Sequence, residues 1–586
     1  MCGIFGYVGT STDAAKIVLE GLKLLEYRGY DSWGVSVKVA KKLSVDKHVG
    51  KIGEATVNLP NSNLGIGHTR WATHGGVVTK NAHPHLDCTQ EIAVIHNGIV
   101  ENYAEMKEDL IKKGHQFFSD TDTEVIAHLV EEFNKKEGFA SSVRDAFNML
   151  AGLNAIVVAN SSSQEIIAAK TVSPLVVGIG DNEYFIASDA SGIAKHTKKV
   201  LFLKDKEMVI LGKTLQLIQL PEGKKITPEL ETIDWDIEKA DKGNYSHYMI
   251  KEIHEQPRII RNIAKTYDDQ IENLNSIIRR AKGTFLIGAG TAFHACLSGV
   301  YLFSKISHLH INTAVASEFN YLEDFLTNES LVIALSQSGE TIDVVEPLNR
   351  AKEKGSKIGA IVNSLGSTIY RMADVKVLLG AGPEKAVAST KAYVSKLSVL
   401  LLLAYALDGG MRKAKTLLIE TADEIDRLLK KDSLQKIKKI AQSLSTSEHI
   451  YTVGRGMSYP TALEAALKIK EVSYVHTEGL AGGELKHGTL ALIAKRTPCI
   501  VFAPKDDTFE AMISNATEIK TRGGFIIGIG PQNHSIFDSW IEVKDCGDGD
   551  SIAQVVPAQL LGYFMALERG FDPDKPRNLA KSVTVK

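Results

Sequence analysis

The chain begins Met1-Cys2-Gly3-Ile4-Phe5-Gly6, and removal of one methionine would leave a cysteine whose thiol and free α-amine sit on the same residue. Such a residue is a nucleophile carrying its own base, because an α-amine with a pKa of roughly 8 takes a thiol proton near neutral pH. An N-terminal cysteine that packs as a small hydrophobe is the plain alternative. Downstream, Gly67-His68-Thr69-Arg70-Trp71-Ala72-Thr73-His74-Gly75 sets a guanidinium, an indole and an imidazole after an apolar stretch. Arg70 there suits the carboxylate of a small zwitterion. His96-Asn97-Gly98 offers a side-chain amide beside a glycine N–H, two donors suited to an oxyanion. Asp122 suits an ammonium group. Taken singly, His74 reads as a loop histidine, Asn97-Gly98 as a hairpin turn and Asp122 as a helix cap. Taken with Cys2, the set describes an amide hydrolase acting on an amino acid.

A second constellation lies in the other half of the chain. Ser336-Gln337-Ser338-Gly339-Glu340-Thr341 stands where an apolar run gives way to a helical pattern, so hydroxyls and backbone N–H groups collect at the positive end of a helix dipole. A phosphate fits such a place, and a plain capping box is the alternative. Val387-Ala388-Ser389-Thr390-Lys391 repeats the hydroxyl-rich pattern ahead of another helix. Lys468 and Glu471, at i and i+3, share a helix face, and His487 lies in a turn-rich loop, Glu484-Leu485-Lys486-His487-Gly488. These groups could move protons on a sugar, although solvated surface charge is the default for a helical Lys/Glu pair.

The elements that must position these groups follow two textures. Over residues 2–220, short apolar segments such as EIAVIHNGIV and LNAIVVAN alternate with turn residues. That pattern predicts a sheet-rich α+β domain with few helices, one of them near residues 123–133. A polar stretch from residue 221 reads as a linker and helical lead-in, 221–270. Beyond it, strands alternate with helices in a parallel α/β pattern over 271–415, which restarts over 437–576 and ends in a polar tail, 577–586. Both halves open with strand, Gly-x-Gly, helix, at Gly288-Ala289-Gly290 and Gly454-Arg455-Gly456, so an internal duplication is expected. Phe293 and Tyr459 stand where a dinucleotide-binding loop needs its third glycine, which argues against NAD.

Composition narrows the partners. At 586 residues the chain suggests three or four domains at roughly 150 residues each. The 68 basic and 70 acidic residues leave a net charge of −2, so no strong field gathers nucleic acid or an anionic membrane. The five cysteines show no CxxC, which argues against a zinc ribbon, an iron–sulfur site or a disulfide framework and favours a reducing cytoplasm. The N-terminus has no basic region leading into an apolar stretch, and no apolar run is long enough to span a bilayer.

CGIFGYVG, YRGYDSWG, HTRWATHG, NAHPH, HNGIVEN and SDTDTE resemble the N-terminal-nucleophile glutaminase domain of the class II glutamine amidotransferases. GAGTAFHA, SQSGETID, VASTKAY, GRGMSYPTALEAALKIKE, GGELKHGTLALI and PRNLAKSVTV resemble paired sugar-isomerase (SIS) domains, and the whole is similar to the glutamine–fructose-6-phosphate aminotransferase family. The resemblance implies an αββα sandwich followed by two doubly wound α/β domains. It implies Cys2 as nucleophile and Asn97 and Gly98 as oxyanion hole. Glutamine would be held by Arg70, Trp71, His74 and Asp122, with Trp71 also gating an internal ammonia path. It implies that Ser336, Gln337, Ser338 and Thr341 hold a sugar phosphate, with Thr291, Val387, Ser389 and Lys468 as further sugar contacts. Lys581 would form an imine with the keto carbon, Glu471 would shuttle a proton between C1 and C2, and His487, supplied by the neighbouring subunit of a homodimer, would assist ring opening. Glutamine and fructose 6-phosphate are the implied substrates, and no metal or redox cofactor is implied. Ala292, Thr489 and Trp33 depart from the family's pattern. An amidotransferase of the phosphoribosyl type and a sugar-phosphate sensor with a relic glutaminase domain are the other readings; glutamine hydrolysis separates the last from an enzyme.

Overall fold

The computed structural model describes residues 2–135, 138–232 and 242–583, and the chain divides into two compact units, Met1–Glu238 with Ala580–Lys586, and Lys239–Leu579. In the first unit an eight-stranded antiparallel sheet has Gly3–Val8 near its middle, between Tyr184–Ala187 and Leu64–Arg70. A seven-stranded antiparallel sheet places Ile92–Asn97 between Ala155–Asn160 and His85–Leu86. Ile4, Ile66, Ile95, Val157 and Ile186 fill the seam between the sheets. The helices Ala14–Leu25 and Ala190–Ile193 pack on the outer face of the first sheet. Tyr103–Lys112, Glu124–Asn134 and Phe139–Asn148 pack on the outer face of the second. These are the four layers αββα that the resemblance implies.

Strands buried on both faces explain why these segments read as unbroken apolar runs rather than alternating ones. Parity then does the positioning, since side chains two residues apart share a face. In Ile92–Asn97, Ala93 and Ile95 face the seam while Ile92 and Val94 face the helices, so Asn97 shares the seam face. In Leu64–Arg70, Leu64 and Ile66 face the seam, and His68 and Arg70 follow them. Ile4 and Val8 face it in Gly3–Val8, which aims Cys2 the same way.

The polar stretch from residue 221, expected to be a linker, holds two short strands of this unit, Lys224–Ile226 and Glu231–Thr232, at the edges of the two sheets. Their Lys and Glu content, which read as linker composition, is the composition of a protected edge.

The second unit holds two five-stranded parallel sheets. The first runs Asn312–Val315, Gly283–Gly288, Ser330–Ser336, Lys357–Val362, Val375–Leu378; the second runs His476–Ala481, His449–Gly454, Pro498–Phe502, Phe525–Gly530, Ser539–Glu542. Both use the order second-first-third-fourth-fifth, the doubly wound arrangement expected of the duplication. The match extends to single residues, since Gly290 and Gly456 each bend the chain between strand and helix at φ +53°. The strands His476–Ala481 and Ser539–Glu542 escape the sequence pattern because one is a half-exposed edge of mixed polarity and the other has four residues. One apolar core runs through both halves. Among the described residues no helix is long and apolar enough to cross a membrane.

Candidate active site

At the end of the seam, Cys2, Arg70, Asn97, Gly98 and Asp122 line one pocket enclosing about 440 Å³, open water included, with Trp71 and His96 beside them. The thiol of Cys2 is held by the backbone of Trp71, whose N–H donates to Sγ at 3.2 Å and whose carbonyl lies 3.6 Å from it. Burial raises the Cys2 thiol above its ordinary pKa, against the pull of the Trp71 N–H and of Arg70. Burial thus favours the protonated sulfur.

Asn97 Nδ2 donates to the Cys2 carbonyl at 2.9 Å, while its Oδ1 faces His68 Nε2 at 3.0 Å. The amide is thereby fixed, with one N–H left over for the pocket. Gly98 follows at φ +140°, and a Cβ there would lie 2.3 Å from the Leu153 carbonyl oxygen, so only glycine can present its N–H at this point. The hairpin alternative fails, because the strand that pairs with Ile92–Asn97 after residue 98 is the distant Ala155–Asn160.

Arg70 is buried and donates to the carbonyls of His74, Gly75 (3.0 Å) and Gly76 (3.3 Å). The loop after the strand thus aims the guanidinium, and His74 acts through its carbonyl while its ring meets Tyr103 edge-on at 5.6 Å. Asp122 accepts from the Val100 N–H at 2.8 Å. It does not cap the following helix, whose N-cap residue Thr123 makes no side-chain cap bond.

Four histidines stand near Asn97 and Gly98. His68 stacks on His83 at 4.2 Å, His83 meets His85 edge-on at 4.7 Å, and His96 is held between Thr123 Oγ1 and Asn154 Oδ1, each at 2.9 Å. Burial lowers all four pKa values, that of His68 to about 3. His68 is therefore a neutral ring whose Nε2–H donates to Asn97. The motifs HTRWATHG and NAHPH contain three of these rings, yet nothing in their spacing shows that they stack.

In the second unit the helix Ser458–Ser473 brings Lys468 to Thr291, the first residue of the helix Thr291–Ser307. Lys468 Nζ donates to Thr291 Oγ1 at 3.0 Å and to Glu471 Oε2 at 2.6 Å, and lies 3.4 Å from Glu464 Oε1. Glu464 also accepts from Thr291 at 3.1 Å and pairs with His294 at 2.8 Å. Lys468 and Glu464 are fully buried and Glu471 is 20% exposed, so the solvated-surface reading fails. Burial alone would lower the Lys468 pKa, but Glu464 and Glu471 outweigh it and the net shift is upward. No motif in the sequence marks Glu464, although it sits one turn before Lys468.

The loop Ser336–Thr341 uses its hydroxyls on its own backbone. Ser336 Oγ accepts from the Gly339 N–H at 3.0 Å and Ser338 Oγ from the Glu340 N–H at 3.1 Å, and the helix Ile342–Glu353 starts after Thr341 without a side-chain cap. This is not a capping box. Glu340 also fixes the next loop by accepting from the Thr368 N–H at 2.8 Å, and Ser364 donates to the Gln337 carbonyl at 3.4 Å. Near Val387, the carboxylate of Glu384 accepts from Ser389 Oγ (3.0 Å) and from the N–H groups of Thr390 (2.9 Å) and Ala392 (3.1 Å), so a carboxylate starts the helix Lys391–Leu407. The same Glu384 adds to the field that keeps Lys468 charged.

His487 is exposed at the end of the short helix Gly482–His487. Lys581 is half-buried, in the tail that groups with the first unit. Of the departures from the family pattern, Trp33 is a core residue stacked on His48 at 4.4 Å, and Ala292 is buried at the start of its helix.

The SIS-domain model matches residues 277–406 and 443–539, and the glutamine amidotransferase domain model matches 68–195. The chain is 44% identical over 604 aligned residues to the glutamine–fructose-6-phosphate aminotransferase (isomerizing) of Pyrococcus horikoshii, with all of both chains covered. It is 41% identical over 597 residues to the protein of the same name from Methanothermobacter thermautotrophicus, again with all of both covered. Among solved structures it is similar to the C-terminal domain of glucosamine-fructose-6-phosphate aminotransferase from Francisella tularensis, at 31% identity and a TM-score of 0.54, over 57% of this chain and all of that one. With matched domains in the same order and relatives aligned from end to end, the chain belongs to the glutamine–fructose-6-phosphate aminotransferase (isomerizing) family.

Proposed function

We propose that the chain transfers the amide nitrogen of L-glutamine to D-fructose 6-phosphate, with isomerisation, giving D-glucosamine 6-phosphate and L-glutamate. The observation that carries this reading is the pocket in which Cys2, Asn97, Gly98, Arg70 and Asp122 converge, on a chain whose other half is a duplicated sugar-isomerase fold. Once Met1 is gone, the α-amine of Cys2 takes the thiol proton as Sγ attacks the amide carbon. The oxyanion is met by the Asn97 amide and the Gly98 N–H, donors already fixed before charge develops. Collapse of the adduct returns the proton to the leaving nitrogen as ammonia, and water then releases glutamate from the thioester. Arg70 and Asp122 hold the α-carboxylate and α-ammonium of glutamine.

At the sugar, Ser336, Gln337, Ser338 and Thr341 take the phosphate, with Val387, Ser389 and Thr291 as further contacts and Lys468 holding Glu471 in place. Lys581 forms an imine with the keto carbon, ammonia replaces the lysine, Glu471 moves the proton between C1 and C2, and His487 assists ring opening, from a neighbouring subunit of a homodimer. Ammonia set free in water would become ammonium, so an enclosed route gated by Trp71 keeps it nucleophilic. A reducing cytoplasm suits the thiol chemistry and the five unpaired cysteines.

The test is incubation with glutamine and fructose 6-phosphate and identification of the products by mass spectrometry. Glucosamine 6-phosphate with one equivalent of glutamate is expected. Glutamate without any amino sugar would overturn the reading.

A further inference from the structure

Away from Cys2, the first unit contains a second cluster that glutamine chemistry does not use. Cys88 follows the strand His85–Leu86, His115 follows the helix Tyr103–Lys112, and His128 and Glu131 lie one turn apart on the helix Glu124–Asn134. One ligand atom from each of the four lies within 4.8 Å of all the others. Cys88 Sγ is 3.8 Å from His115 Nδ1 and 3.6 Å from His128 Nδ1, and Glu131 Oε2 is 3.0 Å from His115 Nδ1 and 3.2 Å from His128 Nδ1.

We propose that Cys88, His115, His128 and Glu131 form a closed tetrahedral site for one divalent cation of zinc type, which ties the helix Glu124–Asn134 to the two segments before it. Zinc bonds of about 2.3 Å to sulfur and about 2.0–2.1 Å to nitrogen and oxygen give a tetrahedron with sulfur–nitrogen edges of about 3.5 Å and nitrogen–oxygen edges of about 3.3 Å. Four of the six edges lie within a few tenths of an ångström of these, and the other two are no longer than 4.8 Å. The remaining ring nitrogens face carboxylates, His115 Nε2 to Glu132 Oε2 at 3.3 Å and His128 Nε2 to Glu124 Oε1 at 3.6 Å, the outer shell that orients metal-bound imidazoles. Glu124 is itself fixed by the N–H groups of Phe118 (2.8 Å) and Ser119 (2.7 Å). The Gln116 N–H points at Cys88 Sγ at 3.4 Å, as suits a thiolate.

Both rings are buried, at 2% and 0% exposure, and each has a carboxylate at both nitrogens. The ring centroids lie 5.2 Å apart, close enough for one cation to reach both Nδ1 atoms. A dication bound through both Nδ1 atoms leaves each ring neutral, with one N–H for its outer carboxylate. Thiolate and imidazole donors select zinc over magnesium or calcium, and four protein ligands leave no open position, so the site is structural. What it holds matters to the pocket, because Thr121, Asp122 and Thr123, which line it, lead directly into this helix.

Tag-free full-length protein, prepared with and without chelator, tests the proposal by metal analysis, zinc titration and cobalt substitution. One zinc per chain is expected, with the d–d absorption of tetrahedral cobalt and a thiolate charge-transfer band in the substituted protein. Cys88 is exposed, so Cys88→Ser should keep the fold while losing that band. Its zinc affinity should fall by at least the roughly 10–100-fold that loss of an outer partner alone costs, and Glu132→Gln should show a loss in that range. Absence of zinc binding by the chelator-treated wild type, or a cobalt spectrum unchanged in Cys88→Ser, would overturn the assignment.

Discussion

Around Cys2 the buried basic side chains are mostly neutral, whereas around Lys468 the buried side chains are charged. His68, His83, His85 and His96 are kept uncharged by burial, and the proposed oxyanion donors Asn97 and Gly98 would meet a charge that exists only during reaction. Lys468, Glu464 and Glu471 hold standing charges that must be matched in the resting protein. A site built for a transient oxyanion gains from fixed neutral dipoles. A site that moves protons on a sugar needs an ionised base at rest, and burying that base requires a partner ion.

The largest test of this contrast removes the nucleophile. Cys2→Ala should lower glutamine hydrolysis by at least about 10⁴-fold while leaving amino-sugar formation from added ammonium salts, read by product mass spectrometry. Loss of both activities would mean that the two regions are not chemically separable. Glu471→Gln is the mirror experiment: sugar isomerisation should fall by roughly 10²–10⁴-fold with glutaminase turnover within a factor of about two. Normal isomerisation in that variant would return Glu471 to a purely structural partner of Lys468.

A smaller loss is expected for Asn97→Ala, roughly 10²–10³-fold in glutaminase kcat with KM little changed, as one oxyanion donor disappears. A change confined to KM would recast Asn97 as a binding residue.

The smallest effects are in pH dependence, and they have opposite signs in the two regions. His68 binds a proton only near pH 3 in the fold but near 6.5 when unfolded, so the unfolded state holds more protons between those values and the first unit loses stability as pH falls through them. Asp550, at the start of the helix Asp550–Glu568, is pushed up by burial to about 7. There the folded state holds the extra proton, so the second unit loses stability as pH rises from about 4 to about 7. Hydrogen exchange corrected for intrinsic rates should show strand Leu64–Arg70 and helix Asp550–Glu568 responding in opposite directions, and Asp550→Asn should flatten the second response alone. Parallel responses would break the comparison.

Much of this was legible before any coordinates. Short apolar runs with turn residues announce a sheet-rich α+β domain, the resemblance adds the αββα sandwich, and the repeated strand, Gly-x-Gly, helix opening announces the duplication. Cys2, Arg70, Asn97 and Asp122 stand out in the sequence because each has a side chain suited to one part of an amino-acid amide, and the fold brings all four to one pocket. Lys468 and Glu471 read as surface charge because their helix spacing is that of a solvated pair; only the packing of Ser458–Ser473 against Asp550–Glu568, Thr291–Ser307 and its own sheet buries Lys468 and half-buries Glu471. The histidine stack and the Cys88 cluster were invisible for a related reason. Their members come from separate strands, loops and helices, and the cysteine spacing that excludes a zinc ribbon says nothing about a mixed site assembled by the fold. The edge strands after residue 221 were lost because polar edges and linkers share a composition.

One contact near the chain's end bears on the order in which the protein is made. The carboxylate of Asp574 accepts from the N–H groups of Tyr248 and Met249, at 2.7 and 2.8 Å, and its carbonyl from the Val387 N–H at 3.0 Å. It thereby completes the start of the helix Tyr248–Thr266 from 326 residues away. At about 5–20 residues per second, that helix waits on the ribosome for tens of seconds before its terminal partner is translated. Lys581 follows only seven positions later. A nascent or truncated chain that stops short of Asp574 therefore leaves the start of the helix Tyr248–Thr266 and the Val387 N–H without these partners, so the second unit is finished only when its last residues have been made.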